Sequence, residues 1–282
     1  MPACHPILET YQTVQQTDLT FSRIEKQIPE IYMKRFTIII PAYNEEKRIS
    51  PVLNDICRFI TENKLPWQVI VAIDGNDTTY DIAVSFAETY DFISIDRSHE
   101  RSGKGGAIKR VLPRIDGEFT ILMDADNSIG FLDIVEGVQQ LEKSDAVILS
   151  RYAGKNSIPL LRRFLSRGFN ITVRSITGLN VSDTQSGYKL FRSDFFVHAM
   201  RRVTVTNASY DVALLYHIKK MGGRITETPT EYTHSDNGKL NPLSMAMSFG
   251  ISLVAFRIRN SPFYAHVPRF LIDLYHRKFR WI

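Results

Sequence analysis

The chain has 282 residues, of which 44% are hydrophobic and 23% charged, and a formal net charge of +5. These are the proportions of a folded globular protein, and the length suits one large α/β domain, alone or with a small appendage. Two cysteines, Cys4 in a polar leader and Cys57 in a helical pattern, exclude a disulfide framework and point to a reducing compartment; no apolar run reaches the ~20 residues of a spanning helix, and the start lacks the apolar core of a signal peptide.

Residues 1–34 show no clear period and receive no role. From Arg35 a rhythm begins. "RFTIII" predicts a strand, and "NEEKRISPVLNDICRFITENK" a helix with its acids in the first turn, where the dipole favours them. "WQVIVAI" predicts a strand, "TTYDIAVSFAETY" a helix, "FISI" a short strand and "KGGAIKRVLPRI" a helix opened by glycine. "EFTILM", "FLDIVEGVQQLEK" and "DAVILS" continue as strand, helix and strand. Such alternation implies right-handed crossovers and a mostly parallel sheet. After Ser150 the rhythm changes: a loop, the long basic helix "LLRRFLSRGFNITVRSITG", the loop and strand "VSDTQSGYKLF", the helix "SYDVALLYHIKKMGG" closed by glycines, and the strand "RITETPTEYT".

The stretch "TILMDADNSIGF" places Asp124 and Asp126 directly after an apolar strand. Two such acids are ordinary cap or turn residues. In an open parallel sheet, however, ligands sit beyond the carboxyl ends of the strands, where paired acids attract a cation and a cation attracts phosphates. Four more features fall at strand ends or in the adjoining loops: "PAYNEE" (41–46), "AIDGND" (72–77), "SGKGG" (102–106), and Ser150 with Arg151. "SGKGG" lacks the spacing of a P-loop, which excludes that class of NTPase, but its glycines at a helix start let backbone N–H groups approach an anion.

In this order and spacing, the five features resemble glycosyltransferase family 2, the inverting enzymes of the GT-A fold, over residues 36 to about 240. "DTQSGYKLF", "YDVALLYHIKKMGGRITETP" and "SDNGKLNP" narrow the resemblance to the dolichyl-phosphate hexose synthases, the glucose-transferring members above all. The residue pattern gives amphipathic helices over 241–282 for membrane docking or oligomerisation, and the resemblance implies a GT-A domain over 35–240, a Rossmann-like sheet flanked by helices. It implies a nucleotide-sugar donor, UDP-glucose in preference to UDP-N-acetylglucosamine or GDP-mannose, and dolichyl or polyprenyl phosphate as acceptor. Pro41, Tyr43 and Glu45 would surround base and ribose, and Asp74 would accept from the base. Ile73 stands where the family carries a further acid. Lys104 would supply charge to the nucleotide. Asp126 would bind Mg²⁺ or Mn²⁺, Asp124 the metal or the ribose, and Ser128 stands where relatives have a metal-binding glutamine. Arg151 would offset the charge of the departing diphosphate, with Arg162 and Ser166, four residues apart on one helix face, near the phosphates and the acceptor. Asp183 takes the position of the catalytic acid residue, orienting the acceptor or touching the metal before any role as a base, and Lys239 suits the acceptor phosphate in a loop that closes over the donor.

From Arg257 onward six basic residues stand against one acid, so this segment carries the whole net charge. Along "VPRFLIDLYHRKFRW", Val267, Phe270, Leu271, Leu274 and Trp281 keep helical spacing, opposite Asp273, His276, Arg277 and Arg280. That pattern fits a helix in a membrane interface, and equally a helix packed on the domain or on a second subunit. The expectation is a cytoplasmic enzyme peripheral on the membrane, with no nucleic-acid partner. Two other readings stay open: a transferase with a sugar-hydroxyl acceptor, and a nucleotide-sugar sensor without turnover.

Overall fold

The computed structural model describes residues 29–126, 128–152, 160–205, 209–230, 250, 253–261, 264, 266–268 and 270, with the backbone alone for 131, 132, 160–167 and 169. Seven strands form one sheet: β1 (Phe36–Tyr43), β2 (Trp67–Asp74), β3 (Ile93–Ser98), β4 (Phe119–Leu122), β5 (Ala146–Ser150), β6 (Lys189–Arg192) and β7 (Ile225–Pro229). Their order is β3-β2-β1-β4-β6-β5-β7. Every pairing is parallel except those of β6, which runs antiparallel to both β4 and β5. The sheet is therefore mostly parallel, as the strand and helix rhythm predicts.

Unbroken apolar runs such as Ile38–Ile40 form strands because both faces of this sheet are covered. Successive side chains point to opposite faces, so Ile38 and Ile40 enter one core layer and Ile39 the other. Helix α1 (Ile49–Asn63) closes the first layer with Leu53, Ile56 and Ile60. In the second lie Ile108 of α3 (Lys104–Val111), Phe196 of α6 (Ser193–Arg202) and Leu214 of α7 (Tyr210–Lys220). Further helices are α2 (Thr79–Thr89), α4 (Phe131–Val138) and α5 (Leu160–Thr177).

Three local readings change. The acids Glu45 and Glu46 do not lie in the first turn of α1, which begins at Ile49. Asn44 takes a left-handed φ of 56° that ends the strand, and the next residues turn before the helix starts. Helix α6 carries no prediction, although Phe196, Ala199 and Met200 give the spacing of a buried face. Before Arg35, Ile31 and Tyr32 belong to the core; the Tyr32 carbonyl accepts from Trp67 Nε1 at 2.8 Å, and its hydroxyl donates to the Val135 carbonyl at 2.6 Å.

The reversal of β6 decides where the loop before it lies. The amino end of β6 sits at the sheet edge where the other six strands end, so residues 182–188 arrive beside Asp124 and Asp126.

Candidate active site

A cleft of about 280 Å³ opens at this edge, between the ends of β1, β2 and β4 and the start of α3. It is lined by Pro41, Tyr43, Glu45, Asp74, Lys104, Asp124 and Asp126, together with Arg101. Seven of the predicted site residues are thus brought together. Arg151 and Asp183 sit at the ends of β5 and the 182–188 loop. Arg162 and Ser166 lie on α5, but their side chains are outside the described set, as is Lys239 altogether.

On the nucleotide side, Asp74 is 3% exposed. Its carboxylate accepts from the Ser102 backbone N–H at 2.7 Å and pairs with Arg110 at 2.9 Å. Arg110 also reaches Asp96 at 2.8 Å. Asp74 thereby ties the strand end to the "SGKGG" turn, where Gly103 adopts a φ of 74° that a side chain would resist. The Glu45 carboxylate is gripped by Arg48 at 2.7 and 2.8 Å. Burial raises the Glu45 carboxyl pKa against the pull of Arg48. The exposed ring of Tyr43 lies 4.2 Å under the Arg101 guanidinium, a cation–π pair at the cleft mouth.

The two acids after β4 differ sharply. Asp124 forms an ion pair with Lys104. Burial alone would raise the Asp124 carboxyl; Lys104, Lys189 and Arg151 outweigh it and hold the group below the usual carboxylate range. Lys104 is raised well above its ordinary value, because Asp124, Tyr210 and Asp211 outweigh its desolvation. Asp126 instead has one oxygen fixed, Oδ1, which accepts from the Ser128 N–H and from the Tyr188 hydroxyl, each at 3.1 Å. Its other oxygen accepts no hydrogen bond among the described residues, and the residue lines the cleft. Ser128 is buried behind Asp126.

A carboxylate held by one oxygen, a second carboxylate beside it and room in front for phosphate oxygens form a donor set that suits Mg²⁺ or Mn²⁺, which take one or two carboxylates and keep other positions for substrate. Among the described residues no group of three acids, histidines or cysteines makes a self-sufficient metal cage.

Beyond the end of β5, Asp183 is 2% exposed and takes the Arg151 guanidinium in a two-pronged pair, with both bonds at 2.8 Å. The Arg151 N–H donates to the same carboxylate at 3.0 Å. Such planar pairing fixes the cation in space more firmly than a lysine would allow.

Four contributors escaped the sequence reading. Tyr188 clamps Asp126, and burial with the neighbouring acids drives its phenol pKa up, so it stays a neutral donor. Gly187 leaves room for Asp124: a Cβ there would stand 1.8 Å from Oδ2. Lys189, 1% exposed, pairs at 2.5 Å with Asp211 and donates to the Ser186 carbonyl. Glu227, on β7, accepts from the backbone of Ser182 and Asp183. All four follow or face the predicted Asp183, so "DTQSGYK" held the signal for three of them.

A seven-stranded mixed sheet with a cleft and paired acids at the strand ends has the architecture of the GT-A fold. Solved structures agree on the fold: glucosyl-3-phosphoglycerate synthase from Mycobacterium tuberculosis, in complex with Mn²⁺, UDP and phosphoglyceric acid, superimposes with a TM-score of 0.60 at 17% identity, over 82% of this chain and 81% of that one. Mannosyl-3-phosphoglycerate synthase from Rubrobacter xylanophilus gives 0.59 at 16% identity, over 80% and 75%. The chain belongs to glycosyl transferase family 2, whose family model matches residues 37–198. It is 30% identical over 252 residues to a dolichyl-phosphate beta-glucosyltransferase of Dictyostelium discoideum, covering 82% of this chain and 76% of the relative. The human protein of the same name is 26% identical over 257 residues, covering 83% and 79%.

Proposed function

We propose that this glycosyltransferase moves a hexose, glucose by preference, from a UDP-sugar to dolichyl or another polyprenyl phosphate, inverting the anomeric carbon. One observation carries the proposal: a half-tethered Asp126 and the rigid Arg151–Asp183 pair stand at the same sheet edge, in a chain whose relatives bear the name dolichyl-phosphate beta-glucosyltransferase.

In this reading Tyr43, Pro41 and Glu45 receive the nucleoside, and Asp74 accepts from the base while holding the loop that places Lys104 beside it. Asp126 and Asp124 would hold Mg²⁺ or Mn²⁺; when bound, such an ion offsets the negative charge of the nucleoside diphosphate. Ser128 and Tyr188 orient Asp126 for that task. Arg151, held in one orientation by Asp183, lends a preorganised positive charge where the leaving diphosphate gains negative charge. Arg162, Ser166 and Lys239 serve the phosphates by family resemblance. The acceptor needs little help from a base: its second ionisation has a pKa of ~6, by analogy with phosphoserine, so the nucleophile is largely anionic at neutral pH. Asp183, with both oxygens on Arg151, acts through that arginine rather than by taking a proton.

A lipid acceptor calls for contact with a membrane, and the carboxyl-terminal segment offers one. Residues 253–259 are helical, with Leu253 and Phe256 turned into the core, and Val254 and Ile258 exposed at 51% and 40% beside the exposed Arg257 and Arg259. Phe270 is 68% exposed. No helix among the described residues is long and apolar enough to cross a membrane. We assign the protein to a peripheral position on the cytoplasmic face, its basic apolar segment against anionic lipid.

The test is a donor screen: UDP-glucose, UDP-N-acetylglucosamine and GDP-mannose, each with Mn²⁺ and a polyprenyl phosphate, followed by extraction of sugar into organic solvent and NMR of the anomeric coupling. β-Linked glucosyl lipid is the expected product. A different preferred sugar would revise the donor, and transfer to free saccharide but not to lipid phosphate would overturn the acceptor.

A further inference from the structure

We infer that Glu227 is a positioning residue for the transfer step, fixing Asp183 and through it Arg151. Glu227 lies on β7 at the sheet edge, paired in register with Ile148 of β5. Its carboxylate gathers the Asp183 loop from outside. Both oxygens accept from the Ser182 N–H at 2.8 Å, and Oε1 also accepts from the Ser182 hydroxyl at 2.8 Å and from the Asp183 N–H at 2.9 Å. Two successive backbone N–H groups aimed at one anion make a nest, here filled by a side chain of the protein itself.

The consequence lies one residue further on. With the Asp183 backbone pinned, its side chain presents both oxygens in the plane of the Arg151 guanidinium. Arg151 follows Ser150, the last residue of β5, and the Ser150 and Ser182 hydroxyls lie 3.1 Å apart. The arginine is thus held by its own strand end on one side and by the chain Glu227, Asp183 on the other. Removing the Glu227 carboxylate leaves the β5–β7 backbone ladder in place, and the Asn170 amide still donates to the Ser182 carbonyl, but the Ser182 and Asp183 N–H groups lose their acceptor, so the Asp183 carboxylate and with it Arg151 lose their fixed orientation. A charge that must reorient during reaction stabilises less than one already in place.

The kinetic side of this inference rests on the proposed reaction; the structural side does not. Glu227→Ala, Glu227→Gln and Glu227→Asp would be compared with wild type in transfer from UDP-glucose to polyprenyl phosphate, and Glu227→Ala crystallised. Alanine removes every acceptor and should lower kcat by about 10- to 100-fold while the donor KM stays within about threefold. Oε1 takes three of the four bonds, and a glutamine can set its carbonyl there, so glutamine should lose far less than alanine, and aspartate should recover part of the loss. The alanine crystal should show the Arg151–Asp183 pair broken. An intact pair, or a broken pair with kcat within about twofold of wild type, would overturn the inference. So would failure of the alanine variant to fold, since Glu227 would then support the fold itself. If wild type transfers no sugar from any donor, the proposed reaction fails, and the crystal of Glu227→Ala still decides the positioning role.

Discussion

Asp126 and Asp124 sit two residues apart and live in different electrostatic worlds. Asp124 is paired with Lys104 and backed by Gly187; Asp126 is tethered through one oxygen by neutral donors and lines the cleft. Asp126→Ala should therefore lower turnover with Mn²⁺ by at least about 100-fold without lowering the melting temperature, and near-normal rates would remove the metal role from this residue. Gly187→Ala tests the neighbouring wall. Its Cβ would fall 1.8 Å from Asp124 Oδ2, so the carboxylate or the loop must shift. A loss of about 1–3 kcal/mol in urea denaturation, together with reduced transfer, is expected; an unaltered midpoint would mean the loop yields freely.

At the scale of elements, the strand-and-helix alternation from β1 to β5 was readable because each unit is local: an apolar run, then a polar turn, then a 3.6-residue period. The residues at the ends of β1, β2 and β4 were readable for the same reason, since a motif directly after a strand inherits the strand's edge. The strand β6 was readable, but its direction was not. Nothing in "KLFR" announces that it inserts backwards between β4 and β5. That one reversal brings Tyr188 to Asp126, Gly187 to Asp124 and Lys189 to Asp211, contacts across 22 to 63 positions of sequence. Glu227 was hidden likewise, because its partners come from a loop 44 and 45 residues away. The acids before α1 were misplaced because an unusual φ at Asn44 delays the helix. Close packing between elements gives a stability test far from the cleft. A Cβ on Gly117 would lie 2.7 Å from the Phe36 and Thr37 backbone of β1, so Gly117→Ala should destabilise by about 1–3 kcal/mol in chemical denaturation; an unchanged midpoint would refute that close approach. On α1, Cys57 is 1% exposed and burial raises its thiol to about 11. In a Cys4→Ser background the native protein should resist thiol reagents at pH 8, with fast labelling only after unfolding.

Over the whole molecule, chemistry and charge are separated. The cleft at the strand ends balances its acids with Lys104, Arg110 and Arg151, whereas the net charge of +5 resides after residue 256. If that basic segment docks on lipid, a chain lacking residues 262–282 should sediment far less with vesicles containing anionic lipid, and salt should weaken the wild-type association. Equal sedimentation of the two would place the segment against protein. The central claim is that Asp126 would hold a divalent ion that the nucleoside diphosphate needs for binding at the sheet edge. Calorimetric titration of UDP into the protein tests it most directly: with Mn²⁺ the affinity should exceed that in chelator by at least about tenfold, and Asp126→Ala should erase the difference. UDP binding of equal strength in both solutions, for the wild-type protein, would contradict the claim.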